Sequence, residues 1–310
     1  MFRSAVVTGG AGFIGSHLCR RLVEIGVEHV TAIDNFRSGT RSRVDHRVHL
    51  LKRDIAELSL GQWADIVDGS SVVFHLAAEK HNSSLLTPER LLTTNVLATE
   101  RLIRAVSTAR VGRLVFTSSL YAYGHKGPAA MVESNCCHPD TLYGVSKLSG
   151  ESIIAITLRE SQTSWNIGRL FFIFGPNQYA KGGYRSVINH NFERLLAGQL
   201  PTINGDGRQA LDYVYIDDCI DALILLASSP TDRCVTNVAS GKPISIIDLV
   251  EKMKSFFGDS IQNQFIERDS THNTARWGDS AMAYKQFGWK ASTPIEQGLE
   301  KTLEFLRSST

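Results

Sequence analysis

Along the first half of the chain, short and almost unbroken apolar runs alternate with longer stretches of helical period. SAVVTG (4–9), HVTAID (29–34), VHLLKRD (48–54), SVVFHLA (71–77), RLVFTSS (113–119) and WNIGRLFFIF (165–174) read as strands. Their apolar residues are consecutive rather than alternating, the pattern of strands covered on both faces. Between them the clearest helical segment is 89–108, where Leu92, Val96, Ile103 and Val106 recur on one face. Strands alternating with helices in this way predict an α/β fold, a Rossmann-like doubly wound parallel sheet with right-handed crossovers.

Near residue 172 the texture changes. GPNQYAKGG and INGDGRQ are rich in Gly, Asn and Gln and read as loops, and helical patterns follow at 185–198, 217–228, 245–257 and 294–307. Residues 1–172 are expected to form the sheet domain, with segments around 211–240 returning to it. Residues 173–310 are expected to form mainly a smaller C-terminal lobe over the carboxyl edge of the sheet, where open α/β folds bind ligands.

Composition narrows the function by exclusion. Of 310 residues, 43% are hydrophobic and 21% charged, as in ordinary globular proteins, and the net charge of +2 points to no nucleic acid and no acidic membrane surface. Cys19, Cys136, Cys137, Cys219 and Cys234 form an odd set without C-x-x-C spacing, and the ten histidines show no H-E-x-x-H. Neither pattern suits a metal site, and thiols of this kind suit a reducing compartment. No apolar run reaches the roughly 18 residues of a membrane span. MFRSAVVTGG has too short an apolar part for a signal peptide, so a cytoplasmic protein without membrane contact is expected.

The first strand runs straight into TGGAGFIGSHL, with Gly9, Gly12 and Gly15 at the spacing of a phosphate cradle. Glycines allow the tight turn and a close backbone approach, and the following helix offers its unpaired N–H groups to a pyrophosphate. Asp34 closes the second strand, where a carboxylate accepts both ribose hydroxyls of an adenosine and repels a 2′-phosphate. This favours NAD, although Arg37 and Arg41 stand close by in sequence. Asp54, at the end of the third strand, is a candidate partner for the adenine amino group. In TLYGVSK, Tyr143 and Lys147 stand four apart, on one face of a helix, so a phenol and an ammonium share a pocket.

These segments stand in a recognisable order. TGGAGFIGSH, RDI (53–55), HLAAEK (75–80), TTNV (93–96), TSSLYAYG (117–124), YGVSK (143–147), FGP (174–176), GDGRQALDYVYIDD (205–218) and FGW (287–289) resemble the extended short-chain dehydrogenase/reductases, in particular their nucleotide-sugar epimerase branch. The resemblance covers nearly the whole chain. It implies Tyr143 as the base, Lys147 as its partner and Ser119 as the third catalytic residue. It also implies cofactor contacts from Gly9, Gly12, Phe13, Ile14, Gly15, Asp34, Asn35, Asp54, Ile55, Leu76, Ala77, Ala78, Lys80, Asn95 and Phe171. A homodimer built on two long helices, beginning near Pro88 and Thr141, is implied too, with Leu85, Leu92 and Val96, or Leu148 and Ile156, as its apolar face.

Two departures from the family pattern bear on the substrate. Phe172 stands where an Asn is usual, and Leu211 where an Arg usually precedes the D-[YF] pair; both family residues grip a diphosphate. Arg185, Arg208 and Arg268 are candidates to take over that charge, and Arg276, three residues before Asp279, is a candidate to meet either the diphosphate or a substituent on the sugar. Related dehydratases carry an Asp-Glu pair directly after the catalytic Ser/Thr; here Leu120 and Tyr121 cannot supply a carboxylic acid, which disfavours elimination. The expected function is an NAD-dependent nucleotide-sugar 4-epimerase acting on a UDP-hexose, UDP-N-acetylglucosamine or a UDP-uronic acid. A dehydratase, decarboxylase or reductase on the same scaffold is the alternative, and a non-catalytic NAD-binding regulator a more distant one.

Overall fold

A computed structural model describes residues 2–81, 83–125, 127–178, 186–258, 260–267 and 275–309. Its centre is a seven-stranded, wholly parallel sheet in the order β3-β2-β1-β4-β5-β6-β10. The strands are β1 (Ser4–Thr8), β2 (His29–Asp34), β3 (His49–Lys52), β4 (Val72–His75), β5 (Arg113–Ser119), β6 (Ser164–Leu170) and, after three strands outside this sheet, β10 (Cys234–Val238). Strand order reverses between β1 and β4, so a crevice opens at their carboxyl ends. Every residue of β4 is buried, as its unbroken apolar run predicts. At the sheet edge β3 is half-exposed, which explains why the paired segment is only His49–Lys52 and not the whole of 48–54.

Helices α1 (Phe13–Glu24) and α2 (Leu60–Val67) follow β1 and β3. The single helix expected over 89–108 is α4 (Pro88–Leu92), a π turn at Thr93–Leu97, and α5 (Ala98–Thr108), with the short α3 (Ser83–Leu86) ahead of it. The extra residue of the π turn rotates the apolar stripe. Leu92 and Leu97 are therefore exposed, while Thr94 and Asn95 turn inward. Helix α6 (Leu142–Thr157) is capped by Thr141, whose Oγ1 accepts the Gly144 N–H at 3.0 Å. It lies so close to β5 that a Cβ on Gly150 would meet the Phe116 ring at 2.6 Å.

The expected strand over 165–174 breaks at Phe171, whose N–H donates to Val238 O at 3.2 Å. Beyond it β7 (Phe172–Phe174) leaves the main sheet and pairs with β9 (Ala210–Tyr215) in a second sheet that also holds β11 (Pro243–Ser245) and β13 (Ala275–Arg276). A two-stranded sheet joins β8 (Thr202–Asn204) to β12 (Gln264–Ile266). Around these lie α7 (Val187–Leu196), α9 (Ile246–Lys254) and α11 (Ile295–Ser309), while α8 (Ile216–Ser228) packs against β5, β6 and α1 of the main sheet and α10 (Ala281–Phe287) against β10.

Candidate active site

The glycine loop meets the demands of a pyrophosphate cradle. Gly9 has φ 71°, a conformation that side chains disfavour, and its N–H donates to Ile33 O at 2.8 Å. A Cβ on Gly15 would lie 2.1 Å from Gly9 O, so α1 begins directly against the turn. Asp34, 8% exposed, accepts the Ala11 N–H at 3.0 Å and the Phe36 N–H at 2.7 Å. Burial raises its pKa above the usual carboxylate range, opposed by those two donors and by Arg43. A carboxylate held at the end of β2 beside a Cβ-free loop fits the adenosine ribose of NAD.

Neighbouring residues are fixed before any cofactor binds. Asp54 accepts the Ala56 N–H, Asn35 Nδ2 at 2.9 Å and Arg90 Nη2 at 2.8 Å. Burial pushes it up, but these three donors outweigh burial and hold it below the usual carboxylate range. The loop Leu76–Ala78 after β4 hangs from Thr8, whose Oγ1 accepts the N–H groups of Leu76 and Ala77 at 3.1 and 3.0 Å. Asn95 in the π turn clamps the same loop, accepting from Glu79 N at 2.8 Å and donating to Glu79 O and to Ser146 Oγ. Phe13 and Ile14 are half-buried, Ile55 is buried in the core, and Lys80 is on the surface.

Ser119 ends β5, and Tyr143 and Lys147 project from the first turns of α6, so the three meet at the carboxyl edge of the sheet. The Ser119 hydroxyl bonds the Tyr143 phenol. Burial of the phenol pushes Tyr143 up to about 12, and the Ser119 bond is the contact that lowers it. Lys147, 4% exposed, donates from Nζ to Thr117 O at 2.8 Å. Its Nζ lies 5.0 Å from the Phe116 ring centre and 5.9 Å from that of Tyr143. Burial lowers Lys147 to about 8, and the negative charge of Glu151 raises it.

Two residues that sequence reasoning missed complete the wall beside the phenol. Tyr121 meets Tyr143 edge to face at 5.6 Å, and His81 stacks on Tyr121 at 4.9 Å. Arg276 caps this column, its guanidinium carbon 5.1 Å from the Tyr121 ring centre. Burial raises Tyr121 and the Arg276 charge opposes that rise. In register, Arg276 on β13 is the partner of Leu211 on β9. The signals were present, since Tyr121 stands two residues after Ser119 and His81 directly follows Lys80, but neither type matches a catalytic pattern.

Phe171 is buried with Leu120, Tyr123, Met131 and Ala239 behind this wall. Phe172 packs its ring 5.9 Å from that of Tyr213, an apolar contact where a polar residue was expected. The Arg208 side chain is 87% exposed beside Asp206, and no contact found among the described residues ties it to the Tyr143 cluster. Arg185 and Arg268 lie outside the described residues. Among the described residues no group of three or more His, Cys, Asp or Glu is placed to hold a metal, and no helix is long and apolar enough to cross a membrane.

A doubly wound sheet with a glycine cradle, a ribose carboxylate and a Ser, Tyr, Lys cluster at its carboxyl edge defines a dinucleotide-dependent enzyme of the dehydrogenase type. A model of the NAD dependent epimerase/dehydratase family matches residues 5–239, and the chain belongs to that family, with NAD as its cofactor. Over 311 residues it is 26% identical to a putative UDP-glucose 4-epimerase of Methanocaldococcus jannaschii, covering 98% of each chain. The UDP-N-acetylglucosamine 4-epimerase of Methanobrevibacter ruminantium, solved with UDP-N-acetylmuramic acid, superposes with a TM-score of 0.93 at 28% identity over 99% of each chain. The UDP-glucuronic acid 4-epimerase of Bacillus cereus, solved with UDP-glucuronic acid and NAD, superposes with a TM-score of 0.88 at 26% identity, covering 99% of this chain and 100% of its own.

Proposed function

We propose that the protein is a UDP-sugar 4-epimerase in which Tyr143 is the base, Ser119 its hydrogen-bonding partner and Lys147 its neighbouring cation. The observation that carries this reading is the meeting of Ser119 and Tyr143 at the carboxyl edge of β5 with Leu120 and Tyr121 directly after the serine. A proton can be taken and returned there, but those two positions supply no acid to expel a hydroxyl. Three relatives named as UDP-sugar 4-epimerases, each matched over nearly its full length, support the same reading.

Bound NAD supplies a hydride acceptor that makes a transient 4-keto sugar accessible, and returns the hydride afterwards. The chain's own residues handle the proton. With C4 oxidised, the 4-hydroxyl proton passes to Tyr143 Oη and the Ser119 hydroxyl keeps the two oxygens in line. After the sugar presents its other face, the same proton returns to O4. Tyr143 stands near 12 in the ligand-free protein, so ionising it requires added positive charge nearby. Lys147, whose Nζ is 5.9 Å from the phenol ring centre, is a cation already present at that value, and the nicotinamide of bound NAD would bring the further positive charge.

Gly9, Gly12, Gly15 and Asp34 would hold the dinucleotide, with Asn35, Asp54, Leu76, Ala77, Ala78, Lys80, Asn95 and Phe171 around it. Arg276 is assigned to the sugar side on the strength of its place over Tyr121, one ring away from Tyr143. A homodimer through α3, the π turn and α6 belongs to the same proposal. It is supported by Leu85, Leu86, Leu97 and Ile156, which are 77%, 82%, 52% and 67% exposed. A cytoplasmic location is supported by the five cysteines, none of which is cross-linked. The test is to supply UDP-glucose, UDP-N-acetylglucosamine and UDP-glucuronic acid separately, follow absorbance at 340 nm and analyse the products. Interconversion of C4 epimers without net NADH is the expected result; accumulating NADH or a dehydrated or decarboxylated product would overturn it.

A further inference from the structure

A buried charge pair that the reaction does not use directly lies one helical turn beyond Lys147. Glu151 follows Lys147 by four residues on α6, and Arg169 faces it from β6. Arg169 donates from Nε and Nη2 to the two Glu151 oxygens at 2.9 and 2.7 Å, with side chains 7% and 8% exposed. Ser118, next to Ser119, donates to Glu151 Oε1 at 2.5 Å. The Arg169 guanidinium carbon lies 4.5 Å from the Tyr123 ring centre, and the Tyr123 hydroxyl donates to Asn237 at 2.7 Å. One carboxylate thus joins the helix of Tyr143 and Lys147 to the strand end that carries Ser119.

Stability does not account for such a pair, because well-packed apolar residues of the same volume often do as well or better. The surroundings of Lys147 suggest another reason. On α6 its titratable neighbours are Tyr143 and Glu151; β5 offers the Phe116 ring and the Thr117 carbonyl; β4 offers His75, which burial keeps neutral; β6 brings Arg169 behind Glu151. Among these groups Glu151 is the only carboxylate. We propose that Glu151 and Arg169 are charge-setting, positioning residues of the catalytic site. Glu151 is the counter-ion that keeps Lys147 an ammonium, and Arg169 limits how much of that charge Lys147 feels while fixing the Ser118–Ser119 strand end.

The two halves of the pair then act with opposite sign. In Glu151→Gln, Lys147 loses its anion and keeps the field of Arg169, so it releases its proton at lower pH. In Arg169→Met, the Glu151 charge is unshared and Lys147 holds its proton to higher pH. Simple structural damage would move both variants the same way.

The direct readout is the Lys147 titration in the full chain labelled with [13C]lysine, followed by NMR without and with saturating NAD and assigned by Lys147→Met. The midpoint is expected near 8 in the ligand-free wild type, lowered by about one unit in Glu151→Gln and raised by a smaller amount in Arg169→Met, because Arg169 lies behind Glu151. The double variant Glu151→Gln with Arg169→Met removes both charges together and provides a second test if either single variant fails to fold. Its midpoint is expected below that of the wild type. A midpoint unmoved in Glu151→Gln, shifts of the same sign in the single variants, or a double-variant midpoint at or above the wild type would overturn the proposal. The NMR midpoint is read without substrate, so it stands or falls separately from the sugar assignment; the alkaline limb of kcat/KM should move with it.

Discussion

His75 should make the protein acid-sensitive in a way that one substitution removes. The residue is 1% exposed, with Nδ1 2.8 Å from Thr8 Oγ1 and Nε2 2.9 Å from Thr99 Oγ1. Because Thr8 Oγ1 already accepts two backbone N–H groups, its own proton goes to Nδ1. The tautomer is therefore fixed, with Nε2–H donating to Thr99. A second proton on the ring would face the Thr8 hydroxyl proton in a dry site. Burial, with a smaller push from the Lys147 charge, lowers His75 to about 3. In the unfolded chain a histidine titrates near 6.5, so on acidification the unfolded state takes the proton first. The stability His75 contributes is whole above about pH 6.5 and is lost as pH falls from there toward 3. At pH 4.5 the loss spans about two pH units, or roughly 3 kcal/mol. Urea unfolding of wild type and His75→Gln at pH 7 and pH 4.5 isolates this amount, since the carboxylates common to both cancel. The variant should be less stable at pH 7 yet lose about 2–3 kcal/mol less on acidification. Equal losses in the two proteins would refute the reasoning.

Cofactor choice rests on Asp34: Asp34→Ala should weaken NAD binding and narrow its preference over NADP, as read by fluorescence titration. Equal wild-type affinity for the two cofactors would contradict this. Arg276→Ala should cost roughly tenfold or more on a UDP-sugar bearing a carboxylate or acetamido group, the worth of a charge-assisted hydrogen bond of about 1.5–3 kcal/mol, while largely sparing UDP-glucose. Equal losses on both would assign Arg276 to the diphosphate or the fold. Light scattering at micromolar concentration should give a dimer mass, and Ile156→Glu, at a 67% exposed position on α6, should shift it toward the monomer. A monomeric wild type would remove that interface.

Sequence pattern revealed most of the sheet because consecutive apolar residues report burial on both faces, and β1, β2, β4 and β5 lie close to the runs that predict them. Burial does not report the pairing partner. WNIGRLFFIF reads as one continuous strand, yet its switch between sheets at Phe171 depends on Val238 and on β9, both distant in sequence. Helical period likewise could not show the π turn, so Leu92, at helical spacing with Ile103 and Val106, is exposed while Asn95 turns inward to hold the Glu79 loop. The glycine cradle and the Tyr143–Lys147 pair were legible because each is fixed by short spacing on one element. Arg276 stands out by its place before Asp279, but its column with Tyr121 and His81 was not legible, because it is assembled from three separate segments and uses residue types common on any surface.

Turnover of Tyr143→Phe on the UDP-sugar that the wild type interconverts tests the central claim most directly. The substitution removes one oxygen from a site otherwise held by Thr141, Gly150 and the β5 contacts, so the variant should fold and bind NAD as the wild type does. Its kcat should fall by about 10²–10⁴, the span expected for losing a general acid–base. A variant that binds NAD normally and keeps more than about a tenth of wild-type turnover, far above that span, would contradict the assignment of Tyr143 as the base.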